Sequence, residues 1–391
     1  MNFKILRALG CLAVIGLSIS AYGQDSTKFT FGGSVDTYFH SSFGTRNVYG
    51  LSSDEGTYYG GYAPSTSFAD GHGFSLGMVN LIASYAGEKV GFTADVVFGP
   101  RGQAAVFGTA SGQAVVNQLF VYYKLGDAVT LNLGQFNTFL GYEVISPALN
   151  FHYSTSYLFS WGPFNHTGLR ADFDFGNGFV GKLAVMNPTD IVEFNPVNTY
   201  TLGLQLGKTT DAGGIWFNFL YGDQDGKLDA DVDPDGASSA GTLFQADVTT
   251  GWNLSEAFYL GLNASYQMTG EGETVNGNSV DDAGNDNSSF AGVAVYPKLT
   301  LSENFALGLR AEYFMVKNQH LNIFGLDDDG DGNVIEFTLS GNYKVGGFTF
   351  IPEFRIDMTS EDSFIKTKDL QNGSVDQTLL PSLNLAAVYK F

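Results

Sequence analysis

The sequence predicts an all-β chain that closes into one antiparallel transmembrane β-barrel of about sixteen strands, within a range of roughly fourteen to eighteen. Three observations lead there. Apolar residues alternate with small or polar ones over segments of about 9–14 residues, the period of a strand with two different faces. The links between these segments alternate strictly between short and long. The composition pairs 15% charged residues with 34 Phe, 20 Tyr and 50 Gly, whereas a soluble domain runs near a quarter charged.

The elements follow in order. Lys4 and Arg7 make a basic start, Leu6 to Ile19 run almost wholly apolar, and Ala21-Tyr22-Gly23 end in small residues. Residues 1–23 therefore read as a signal peptide cleaved before Gln24, with 24–391 left as a single barrel domain. The apolar run is too short to span and stay. Cys11, the one cysteine, lies inside that run, so a lipid anchor is disfavoured and the mature chain carries no disulfide or Cys-based zinc site.

Strands are expected at 29–40, 74–86, 89–99, 113–125, 128–136, 165–176, 179–187 and 200–208. They continue at 214–222, 241–252, 257–269, 289–301, 304–317, 334–345, 347–358 and 379–391. Alternation is clearest where Val90, Phe92, Ala94, Val96 and Phe98 are interleaved by Gly91, Thr93 and Asp95. Thr167, Leu169, Ala171, Phe173 and Phe175 alternate with Gly168, Arg170, Asp172 and Asp174. Leu260, Leu262, Ala264 and Tyr266 face away from Gly261, Asn263 and Ser265, and Leu307, Leu309, Ala311 and Tyr313 from Gly308, Arg310 and Glu312. Phe348, Phe350, Phe354 and Ile356 oppose Thr349, Glu353, Arg355 and Asp357. No stretch sustains a helical period.

A soluble sandwich would bury the apolar face. Here that face carries aromatic residues near strand ends, and the other face is rich in Gly, Ser, Asn and charges, the signature of a barrel with lipid outside and water inside. Links after even-numbered strands are short, such as Gly87-Glu88 and Asn177-Gly178, and those after odd-numbered strands mostly exceed ten residues. Short turns at one end and long loops at the other belong to an outer-membrane barrel. The final strand, with Leu383, Leu385, Ala387, Tyr389 and Phe391 on one face, is placed to pair with the first and remove both edges. Sixteen strands enclose an aqueous channel, so the expected function is passive diffusion of small hydrophilic solutes or ions. The alternative is a non-conducting receptor or adhesin that acts through its acidic outer loops.

Net charge of −21 gives no footprint for nucleic acid; the expected partners are outer-membrane lipids, small solutes or ions, and further copies of the chain in a homo-trimer. No cofactor is required by any motif. No His-Glu-x-x-His or Gly-x-Ser-x-Gly pattern occurs, and His40 with Asp36 or His320 with Glu312 lack a nucleophile, so no enzyme is expected.

Between Asn117 and Gly168 the chain is least generic. It contains Gly134, Phe136, Gly141, Glu143-Val144-Ile145, Asn150-Phe151, Tyr153-Ser154, Ser156 to Phe159, Pro163-Phe164 and His166-Thr167-Gly168. This run resembles the OmpL-like β-barrel porins of the porin-2 family. The resemblance implies a bacterial outer-membrane barrel with a pore and no particular substrate.

Segment 137–164 holds too much apolar surface for a free loop, with Phe139, Leu140, Val144, Ile145, Leu149, Phe151, Tyr157, Leu158 and Trp161. Two placements are open: folded into the lumen, with Glu143 and His152 near a constriction, or packed over the rim. Charges belong on the lumen face, because in lipid they cost a few kcal/mol each at mid-depth, by order of magnitude. That face is expected to carry Asp36, Asp95, Lys124, Arg170, Asp172, Asp174, Lys182, Arg310, Glu312, Glu353, Arg355 and Asp357. Arg170 with Asp172 and Asp174, and Arg355 with Glu353 and Asp357, form either a charge ladder for solutes or ion pairs that brace the wall. The surplus of acid suggests a pore leaning toward cations. Two loops, Asp231-Val-Asp233-Pro-Asp235-Gly236 and Asp327-Asp328-Asp329-Gly330-Asp331-Gly332, offer alternate carboxylates before a turn, a pattern open to calcium or to a plain solvated loop. Neither is an EF-hand, since Thr242 and Thr338 stand at its twelfth position.

Overall fold

A computed structural model describes residues 29–47, 64–106, 115–224, 242–270, 287–367 and 375–391, plus the backbone of 274–275 and 278–279. The proposed signal peptide and the Asp231–Asp235 segment lie outside the described residues.

Sixteen strands form the barrel: β1 Phe29–Ser42, β2 Gly73–Ala86, β3 Val90–Phe98, β4 Val116–Lys124, β5 Val129–Asn137, β6 Asn165–Gly176, β7 Phe179–Met186 and β8 Thr201–Thr210. The second half is β9 Gly213–Gly222, β10 Leu243–Asn253, β11 Phe258–Gly270, β12 Asn287–Thr300, β13 Phe305–Lys317, β14 Gly332–Val345, β15 Phe348–Thr359 and β16 Leu379–Lys390. Each pairs antiparallel with its sequence neighbours, and β16 returns to β1, so the sheet closes. At the seam Val35 faces Tyr389, and Gly33 and Phe391 exchange backbone hydrogen bonds at 3.2 and 3.1 Å. Closure leaves no edge strand to be satisfied in lipid.

Seven links hold two to four residues and the other eight hold 14 to 30. One of the two-residue turns is Asn177-Gly178, with φ of 53° and 77°. Positive φ at both positions gives a turn whose twist matches the flanking strands, and Asn-Gly is the pair that adopts it most readily. A short strand in the first long loop, Thr45–Asn47, pairs with Phe364–Lys366 in the last, which ties the two loops together across the seam. Two helical turns, α1 Pro100–Ala105 and α2 Tyr157–Ser160, are too brief to leave a periodic trace in the sequence. No helix among the described residues is long and apolar enough to cross a membrane.

Alternation translates directly into two faces. In β14, Ile335, Phe337, Leu339 and Tyr343 are exposed, and Glu336, Thr338, Ser340 and Asn342 between them are buried. β4 exposes Leu119, Val121 and Tyr123, and β7 exposes Leu183 and Val185. Each such side chain would forfeit roughly 1.5–3 kcal/mol if it faced water instead of an apolar medium. A continuous girdle of them marks a surface that meets an apolar medium or partner rather than open water.

The alternation fails in one informative place. Toward the long-loop end the inner face turns apolar, with Val97, Met186, Phe290, Phe314, Val316 and Val334 buried. Loops explain the change. Tyr157, Leu158, Leu321, Ile323 and Phe324 fold inward against Phe290, Phe314 and Val334, and Phe68, Ile145, Phe159 and Phe164 fold against Met78 and Val97.

Candidate functional site: a loop docked across the lumen

The link between β5 and β6, residues 138–164, enters the barrel and reaches the opposite wall. A buried loop must find partners for every backbone polar group, and the wall supplies them. Gly141 donates its N–H to Asp247 of β10 (3.1 Å). Tyr153 and Ser154 donate theirs to Glu353 of β15 (2.8 and 3.0 Å). Tyr157 and Leu158 donate to Glu312 of β13 (both 2.8 Å), and Ser156 to Glu143 within the loop (2.7 Å).

Loop carbonyls are met by guanidinium groups and amides. Arg310 donates to Ser154 O (2.8 Å), Arg355 to Thr155 O (2.7 Å), Arg101 to Ile145 O (3.0 Å) and Tyr153 O (3.2 Å). Asn342 and Gln205 serve the carbonyls of Phe151 and Phe139. The charges also balance one another. Arg310 bridges Glu143 of the loop (2.7 Å) and Glu336 of the wall (2.9 Å), and Arg355 holds Asp357 (2.7 Å).

Glycines on the inner face make room for the loop. A Cβ at Gly261 would lie 2.5 Å from the Tyr142 hydroxyl, one at Gly203 2.7 Å from the Phe139 ring and one at Gly292 2.9 Å from Leu158; Gly308 receives Phe151 in the same way. Tyr142 stacks on Tyr296 with centroids 4.1 Å apart and shares a 2.9 Å hydrogen bond with Tyr259. Tyr153 donates its hydroxyl to Asp36 of β1 (2.6 Å).

Glu143 and His152 thus lie on the inward-folded loop, and both are buried. Glu143 faces Arg310, and His152 Nδ1 meets Ser340 Oγ at 2.8 Å. Arg310, Glu312, Glu353, Arg355 and Asp357 face inward but do not line water. All are at most 2% exposed, because the loop lies over them. Of the two readings left open for Glu353, Arg355 and Asp357, the geometry fits groups that brace wall and loop rather than a ladder for solutes. Arg170 and Asp172 keep some accessible surface and form a bidentate pair at 2.8 and 3.0 Å, with Lys182 3.7 Å from the same carboxylate. Asp174 sits apart from them at the turn and accepts from the Gly176 N–H.

Asp327, Asp329 and Asp331 do not converge as a cation site. Asp327 turns its carboxylate onto the N–H groups of Asp329 and Asp331, and Asp331 pairs with Lys317 and the Asn318 N–H. No cluster of three or more His, Cys, Asp or Glu able to hold a metal occurs among the described residues. The two His–acid pairings also separate: His40 bonds Asn384 (2.6 Å), and His320 bonds Ser288 (2.7 Å) and Gln267 (3.0 Å). Burial at the outer end lowers His320 to about 3, so its ring is neutral.

Asp247, Glu336, Arg101 and the inward glycines escaped the sequence reading. Glu336 had a signal, its place on the polar face opposite Glu312. Arg101 lies in a loop, where no periodicity speaks.

Residues 28–391 match the family described as "Putative beta-barrel porin-2, OmpL-like". No curated protein matches at the sequence level. Among solved structures, the outer membrane channel DcaP of Acinetobacter baumannii aligns with TM-score 0.59 at 15% identity, covering 95% of this chain and 100% of that one. OmpF of Salmonella typhi in complex with daunomycin gives 0.56 at 10%, covering 93% and 97%. The trimer form of OmpT, an outer membrane protein of Vibrio cholerae, gives 0.53 at 12%, covering 94% and 100%. At these identities the likeness is one of fold.

Proposed function

Because this chain belongs to the OmpL-like beta-barrel porin-2 family of the outer membrane, we propose that it passes small hydrophilic solutes or ions by passive diffusion. The observation that carries the reading is the loop 138–164, held across a closed sixteen-stranded lumen by charged groups of the far wall. Such a loop narrows the bore without needing chemistry or energy input. No cofactor and no catalytic step enter the proposal. A homo-trimer, supported by the trimer form of one structural neighbour, is the expected assembly.

Single-channel recording in planar bilayers tests the reading. The folded barrel gives steady ohmic steps, and deletion of residues 140–160 raises their size. Unchanged steps would refute the constriction. A second reading has one observation in its favour: the apolar cluster of Phe290, Phe314 and Phe324 packs against Tyr157 and Leu158 at the long-loop end. It makes the barrel a closed surface-binding protein, and a correctly folded barrel that carries no current would favour it.

A further inference from the structure

The docked loop covers the two sides of the lumen unequally. It leans on β10 to β16 and β1, whose mid-height charges are all buried. The inner rows of β4 to β7 stay more open: Tyr122, Thr130, Arg170, Asp172 and Lys182 keep accessible surface. The charges that water can reach inside the barrel therefore differ from those of the chain as a whole.

Toward the short-turn end, six cations stand on inward rows. Arg170 and Lys182 lie on β6 and β7, Lys298 on β12, and Lys124, Lys344 and Lys390 at the ends of β4, β14 and β16. Register supports the inward placement. Lys298 Nζ lies 4.6 Å from the ring centre of Tyr259, itself buried on the inner face. The Arg170 guanidinium sits 4.3 Å over the inner Phe136. Lys344 and Lys390 continue the rows of Asn342 and Val388, both buried.

Only two carboxylates on the inner rows of the described strands keep accessible surface, Asp172 and Asp174, whereas Asp95, Asp247 and Glu353, no deeper in their strands than Arg170, are buried. Asp172 is shared between Arg170 and Lys182 and also accepts from Asn132 (3.0 Å). Asp174 caps its turn. Acids elsewhere at this end, Glu88, Asp127, Asp211, Glu256 and Glu303, lie in the turns beyond the strands. Charges set in open water are screened within about 8 Å at physiological salt, whereas low-dielectric walls focus the field of charges inside a cleft.

We propose that this inner collar of Arg170, Lys182, Lys298, Lys124, Lys344 and Lys390 makes the pore select small anions, carboxylate- or phosphate-bearing solutes included, although the chain is strongly acidic. The proposal rests on the channel reading and deepens it. It also reverses the leaning toward cations drawn from composition, because most of the inward acids are buried, and of the two that are not, Asp172 is paired with Arg170 and Lys182.

Reversal potentials in a potassium chloride gradient decide it, with barrel folding checked by heat-modifiable mobility. The parent channel should pass chloride several-fold more readily than potassium. A Lys298→Gln/Lys344→Gln/Lys390→Gln variant should lose most of that preference, and Lys182→Gln should lower it further. Lys317→Gln, at the long-loop end of β13, should leave it unchanged. An unselective or cation-preferring parent overturns the collar and leaves the channel standing. A parent preference that survives all four collar substitutions also overturns it. A folded barrel without current overturns both.

Discussion

Replacing Arg310 by Met should release the loop from the far wall. The side chain is fully buried and joins Glu336 and Thr338 of the wall to Glu143 and Ser154 of the loop. Methionine fills similar volume but takes the guanidinium away from two buried carboxylates and from the Ser154 carbonyl. Removing one member of a buried charge network costs about 3–5 kcal/mol. Glu143 and Ser154 ride on the loop, so most of that cost falls on its docking. At about 1.4 kcal/mol per decade, the docked state loses roughly two to three orders of magnitude in population. Arg310→Lys keeps the charge but offers no planar fork and should fall between parent and R310M. The assays are proteolysis of the 138–164 segment, the denaturant midpoint and single-channel step size in one set of samples. A folded R310M barrel with parental cleavage, midpoint and step size would refute the role given to this network.

Three further outcomes are expected. Gly308→Val should displace the Phe151 ring from its notch, lower the denaturant midpoint and increase cleavage of the loop, while the same change at the open turn glycine Gly126 should do neither. His320 is neutral when buried and titrates near 6.5 once exposed. The unfolded loop therefore takes up a proton that the folded one refuses, and stability is lost as pH falls below about 6.5, by about 1.4 kcal/mol per pH unit down to about 3. Proteolysis of residues 318–331 at pH 7.5 and 4.5 reads this directly, and His320→Gln should flatten the difference. Millimolar calcium should leave cleavage at Asp327–Asp331 unchanged, since the Asp327 and Asp331 carboxylates already serve the backbone and Lys317; protection by calcium would overturn that assignment.

Strand placement was legible because lipid and lumen impose a period of two on every segment, and β6 was expected at 165–176, the residues it occupies. The inward row was legible for the same reason: Arg310, Glu353 and Arg355 stand where alternation puts them. What covers that row was not. Burial of Glu312 depends on the amides of Tyr157 and Leu158, more than 150 positions away, and no local pattern encodes such a meeting. The glycines at 203, 261, 292 and 308 read as an unremarkable part of a small-residue face. Only the aromatic rings seated over them give these positions meaning.

The pairing of loop and wall sets an order for biogenesis. Tyr153 meets a carboxylate 200 residues downstream, and His40 meets Asn384 across 344. Contacts this remote in sequence form slowly. The wall acids that receive the amides of Tyr153, Ser154, Tyr157 and Leu158 belong to β13 or β15, so the insert is made long before its berth exists. A chain with only its first half in place therefore carries that greasy, amide-rich segment without its shelter, and the last four strands must arrive before the insert can dock.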